Sequence, residues 1–245
     1  MSLCVWLMVV GLVDLMRAAR DVTSPLRRAL LVLIGAGLLV LVGLVTGFTT
    51  AWWATVGVLW VVGLAAWVTT SALALSAPPR HRRSWRAAAF AAFLVPLVLL
   101  LGVGRRPLPE TSRLGDLADH TLVGMVGGAT VVAVLGATLL QLSTGNVLVR
   151  LLLDAVGVPA AANEKQLKGG RLLGPMERLF LLVLTVAGQL GAGAVVVAAK
   201  GLLRWPELKR SSETGPSDVS EYFLIGSLAS WLVALGGWLV VRLLG

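Results

Sequence analysis

The sequence predicts an all-α polytopic transmembrane helix bundle of six or seven spans with one short interfacial helix, and three observations predict it. Of 245 residues, 57% are hydrophobic and only 13% charged, about half the charge of a soluble domain. Mean hydropathy is +0.88. The apolar runs repeatedly reach about twenty residues without a charge, the length at which a helix crosses the hydrocarbon. The 21 Lys and Arg against 12 Asp and Glu give a formal charge of +9. In a soluble chain that excess suggests nucleic acid; here most of it lies between apolar runs, where it reads as orientation. No nucleic-acid partner is expected.

The elements follow in order along residues 1–245, read as a single membrane domain. Segment one, 3–16, is short for a crossing and fits a thinned bilayer or a re-entrant element. No cleavage site precedes it, so no removable signal is expected. Arg17, Arg20, Arg27 and Arg28 follow, with Thr23, Ser24 and Pro25 supplying an N-cap and an N1 proline for segment two, 29–46. An uncharged turn leads to segment three, 51–75, and a basic loop from Pro78 to Arg86 leads to segment four, 87–103, where Pro96 is expected to kink the helix. Segment five is 120–142. After it Gly145 and Asn146 are expected to start a separate helix, 147–156, too short and charged to cross and therefore placed in the interface. Segment six is 176–200 and segment seven 221–244.

Seven crossings put the two ends of the chain on opposite faces. Counting basic residues gives fourteen on one face and seven on the other, which favours the N-terminus outside and the C-terminus inside. Arginine exceeds lysine, and Ala, Leu and Val dominate the spans. That usage points to a GC-rich bacterium and so to its cytoplasmic membrane.

The candidate site lies on segment six. Arg178, Thr185, Gln189 and Lys200 share one face within about 60° at helical spacing. Arg178 and Lys200 are separated by about 33 Å on an ideal helix, roughly the hydrocarbon thickness, with Gln189 midway. An amide at that depth needs a partner, since lipid offers none. One reading is two interfacial anchors and an interhelical hydrogen bond; the sharper one is a polar pathway or ligand cavity, with Arg171, Glu177 and Glu221 at its mouths. Glu177 also suits a helix N-terminus, and Lys200 or Arg204 is expected to pair with Glu221. Small residues allow close helix approach, so Gly124, Gly128 and Gly136 of segment five are expected to pack against Gly188, Gly191 and Gly193 of segment six.

Other residues carry less. Asp14 and Arg17 read as a local ion pair at the interface. Asp116, Asp119 and His120 suit a helix first turn better than a metal, and no metal or other cofactor is expected. Trp53, Trp60 and Trp67, like Trp231 and Trp238, recur every seven residues, as helix-packing or lipid-facing stripes do. The lone Cys4 excludes an intramolecular disulfide. Neither histidine has a Ser or Cys at a catalytic spacing, so catalysis is disfavoured.

The run from Gly170 to Arg178, with Gly188-Gln189, Ala198 to Gly201, Pro206 to Leu208 and Glu221 to Ser227, resembles a family of bacterial integral membrane proteins grouped as a domain of unknown function, over about 169–231. The resemblance implies a compact helical inner-membrane protein and no substrate. The leading expectation is a small transporter or channel for an ion or anionic solute; the alternative is a non-catalytic scaffold or accessory subunit. The expected partners are anionic lipid and a second copy or another membrane protein.

Overall fold

A computed structural model describes residues 2–18, 24–45, 51–76, 78–103, 128–158, 170–213 and 218–244. Among them every regular element is helical: α1 (Ser2–Arg17), α2 (Pro25–Val45), α3 (Ala51–Ser76), α4 (Pro79–Val103), α5 (Gly128–Leu139), a π-helical turn (Leu140–Thr144), α6 (Gly145–Ala155), α7 (Gly170–Val186), α8 (Leu190–Glu213) and α9 (Asp218–Leu244). The fold class is the expected all-α bundle. Among the described residues, five stretches are long and apolar enough to cross a membrane: Pro25–Leu44, Ala54–Ser76, Arg80–Gly102, Ala129–Ala155 and Glu221–Leu244.

The shortest expected span is the centre of the molecule. Leu3, Cys4, Val5, Trp6, Leu7, Val9, Val10 and Val13 of α1 are all buried, because a helix apolar on every side gains most where protein surrounds it. α2, α3, α4 and α5 pack around it. Trp6 donates to the Trp60 carbonyl at 3.3 Å and Trp67 Nε1 reaches Asp14, so α1 and α3 run parallel. Phe93 of α4 stacks tilted against both Trp6 and Trp67, with centroids 5.7 and 5.1 Å away. Pro96 lies inside α4 and packs against Gly63, where a Cβ would come within 2.8 Å of the proline Cγ.

Three expectations are corrected. The separate interfacial helix at 147–156 is the continuation of segment five: α5, the π turn and α6 form one element, with Gly145 helical at φ −57° and ψ −35°. Gly136 of segment five meets α1 instead of segment six. A Cβ at Gly136 would lie 2.7 Å from the Cys4 carbonyl oxygen, and one at Gly11 2.7 Å from Leu139 Cβ. At Gly136 the close approach is to α1. Gly188 and Gly191 have nothing within 4 Å of a built Cβ, and Gly193 faces only Leu181. Gly124 lies outside the described residues, as do Asp116, Asp119 and His120.

The third correction is the largest, for segment six is two helices. α7 ends in a Schellman turn: Gly188 N–H donates to Thr185 O and Gln189 N–H to Leu184 O, with Gly188 at φ +76°, where a side chain is disfavoured. α8 then runs back along α7. Among the described residues, segment six is thus a helical hairpin instead of one continuous span. α9 runs antiparallel to α5 and α6, since Gly226 meets Leu153 and Gly237 meets Gln141, whereas α5 runs parallel to α1. Ser2 and Leu244 therefore share one end of the bundle, not opposite ends. The other end carries Arg27, Arg28, Arg80, Arg82, Arg83 and Arg86, at the starts of α2 and α4, and Arg150 near the end of α6.

Candidate functional site

The site begins with a break in backbone hydrogen bonding. In an α-helix the Gly145 N–H would bond to the Gln141 carbonyl. In the π turn it donates to Leu140 O instead, and Gln141 O receives Arg178, with Nε at 3.0 Å and Nη2 at 2.8 Å. Wide turns of this kind inside helices recur at functional sites. Arg178 Nη2 also donates to Asn146 Oδ1 at 2.6 Å, and Nη1 to Ser230 Oγ at 3.1 Å. The guanidinium lies over Gly145, where a Cβ would sit 2.9 Å from Nε. Glycine is required there by the close approach.

Arg178 is 2% exposed and lies deep in the bundle. Gln141 is one residue from the midpoint of Ala129–Ala155, and Ser230 is within three of the midpoint of Glu221–Leu244. Every acceptor around the guanidinium is neutral. Glu177, next in sequence, is taken by Lys200 of α8, whose ammonium also lies 5.5 Å from the Phe223 ring centroid. Glu177, Arg178 and Lys200 together carry one uncompensated positive charge. Beside it Gln141 donates through Nε2 to Val233 O at 3.2 Å, while Gln141 Oε1 and Thr144 Oγ1 are buried without a hydrogen-bond partner among the described residues.

A second buried polar site is electrically balanced. Asp14 accepts from Arg17 Nε at 2.8 Å and from Trp67 Nε1 at 3.0 Å. Arg17 Nη1 donates to Ser71 Oγ at 2.9 Å, and Ser71 in turn bonds the Trp67 carbonyl. Asp14 and Arg17 do form the expected ion pair, at the end of α1 and buried against α3. Ser143 of the π turn donates to Gly11 O at 2.6 Å, which ties the turn to α1.

The polar face expected along segment six is not continuous. Thr185 bonds its own helix through Leu181 O at 2.8 Å. Gln189 is exposed at the hairpin turn, far from the middle of the bundle. Lys200 is brought back beside Glu177 instead of lying across the membrane from Arg178, and does not pair with Glu221, which is exposed at the start of α9. Arg171 falls within α7, and its side chain is outside the described residues. Arg178 is the expected residue that forms a buried centre. Its partners Gln141, Asn146 and Ser230 were not singled out in the sequence; the one available signal was Gln141, an amide near the middle of a long apolar run.

The all-helical fold, with five described helices long and apolar enough to span, is that of a polytopic helical membrane protein. No family model, curated protein or solved structure matches the chain.

Proposed function

We propose that the protein is a small transport or permeation protein of the bacterial cytoplasmic membrane, taking an anionic solute at Arg178. The observation that carries this reading is a guanidinium at mid-depth with only neutral acceptors around it. An unpaired charge in a low-dielectric interior is costly, and ionisable groups at that depth mark solute paths as a default hypothesis. An anion arriving at the remaining Nη1 donor neutralises the centre. The Asp14–Arg17 pair serves as structural ballast, since it already sums to zero. Positive-inside asymmetry supports placing the arginine-rich end in the cytoplasm, with Ser2 and Leu244 opening on the outside. The likeness of 169–231 to the family of unknown function belongs to the same reading and adds no substrate.

The test is anion efflux from proteoliposomes, with chloride and inorganic phosphate as probes. Wild type is expected to pass at least one of them and Arg178→Gln to lose at least tenfold of that flux. Ser230→Ala, which keeps the charge and removes one acceptor, is expected to alter the rate while folding normally. Folded wild type that passes neither anion overturns the proposal.

A second reading, a non-transporting scaffold, is favoured by one fact: three protein groups already occupy four of the five guanidinium N–H bonds. It assigns Arg178 the task of clamping α7 and α9 onto the π turn. Loss of fold in Arg178→Gln with no flux in wild type is its signature.

A further inference from the structure

We infer that α4 carries a binding site for one anionic phospholipid, its phosphate held by Arg80 and Arg83 and its acyl chain lying on the helix face below them. The inference is independent of the transport reading.

The charge arrangement is the first ground. α4 starts Pro79-Arg80-His81-Arg82-Arg83-Ser84-Trp85-Arg86, with no acidic residue in its first turn. That order opposes the helix dipole, whose N-terminus is already positive, and places like charges at three- and four-residue spacing. Arg86 is engaged internally, since its Nη1 donates to the Asp154 carbonyl oxygen near the end of α6, a favourable place for a cation. Arg80, Arg82 and Arg83 are exposed. The carboxylates of Asp14 and Glu177 are committed to Arg17 and Lys200. Arg80 and Arg83 make no ion pair among the described residues.

The second ground selects a lipid over a free anion. Residues at three- and four-step spacing share a helix face. Below Arg80 and Arg83 that face continues through Ala87, Ala91, Leu94 and Val98, every one of them exposed, with Leu94 at 51% and Val98 at 62%. The opposite face, Ala89, Phe93 and Leu100, is buried in the core. From Arg83 to Val98 the stripe is about 22 Å long, enough for an acyl chain. Ala87 and Ala91 make its upper half shallow, directly beneath the cations. The apolar stretch Arg80–Gly102 is itself a candidate span, so the arginines stand at headgroup depth and the stripe in the hydrocarbon. A soluble phosphate has no use for the stripe; a phospholipid uses both parts.

The experiment is native mass spectrometry of the full chain in detergent, titrated with phosphatidylglycerol, phosphatidylcholine or glycerol phosphate. Phosphatidylglycerol is expected to bind at least tenfold tighter than phosphatidylcholine, and glycerol phosphate not to compete. Each arginine near an anionic headgroup contributes about fivefold, so the pair Arg80→Gln with Arg83→Gln is expected to weaken phosphatidylglycerol about twenty-fold. Ala91→Phe, which fills the stripe and leaves the charge alone, is expected to weaken both lipids. Arg27→Gln, at the same end on α2, is the control for net charge. Equal binding of the two lipids, displacement by glycerol phosphate, or an Arg27→Gln loss as large as that of an α4 arginine overturns the proposal. These positions are exposed, and unchanged helicity by circular dichroism confirms that each variant folds.

Discussion

Lys200 and Glu177 form an ion pair across a helical hairpin, although 23 positions separate them and a continuous helix would hold them on opposite sides of the bilayer. The hairpin turn at Gly188 and Gln189 lies midway between them. Each is therefore the same number of turns from the bend, and the pair ties α7 to α8 partway along the hairpin.

This geometry gives a direct crosslinking prediction. In a Cys4→Ser background, Glu177→Cys with Lys200→Cys is expected to form an intramolecular disulfide on mild oxidation, read as a mobility shift that reductant reverses. Moving the second cysteine to Val197 is expected to reduce the yield sharply. Equal yields at 197 and 200 contradict the register of the hairpin.

The turn itself rests on one backbone angle. Gly188→Ala places a Cβ in the left-handed region, at a cost of about 1–2 kcal/mol, whereas Gln189→Leu next to it is expected to be almost neutral. Chemical denaturation in detergent compares the two. A Gln189→Leu loss as large as that of Gly188→Ala contradicts the turn.

The buried Asp14–Arg17 pair is expected to behave as a unit. Removing one partner leaves the other charged and buried, at a cost of about 3–5 kcal/mol, so Asp14→Leu and Arg17→Met are each expected to lower thermal stability strongly. The double variant is expected to recover most of the loss. Additive single losses contradict the coupling.

Glycine positions separate into two kinds. Gly145→Ala pushes against the Arg178 guanidinium, and overpacking of this sort costs about 1–3 kcal/mol. Gly191→Ala meets nothing within 4 Å and removes a poor helix former, so stability is expected to hold or rise by up to about 1 kcal/mol. Thermal unfolding of the two purified variants distinguishes them. The reverse order contradicts the assigned packing.

Helices were legible in the sequence wherever hydrophobicity alone decided them. The stretches 29–46, 51–75 and 221–244 recur as α2, α3 and α9 with shifts of a few residues at their ends, whereas α4 begins at Pro79, so the expected basic loop before residue 87 is instead its first two turns. The errors arose where a local signal has two outcomes. Gly145-Asn146 is a plausible helix boundary, yet here glycine continues the helix because a guanidinium needs the room. Gly188 sits inside a run of small residues that reads equally as a packing face or a break, and its φ decides for the break. Arg178 was legible as a polar residue on an apolar helix. Its acceptor, a backbone carbonyl released by a π turn, leaves no trace in side-chain chemistry.

Because Ser2 and Leu244 leave the bundle at the same end, anything fused to one is delivered to the compartment that receives a fusion to the other. Paired reporters at these positions read alike, and a short polar tether between them does not have to thread the bilayer. Tandem copies joined head to tail are thus topologically permitted, each repeating the handedness of the last.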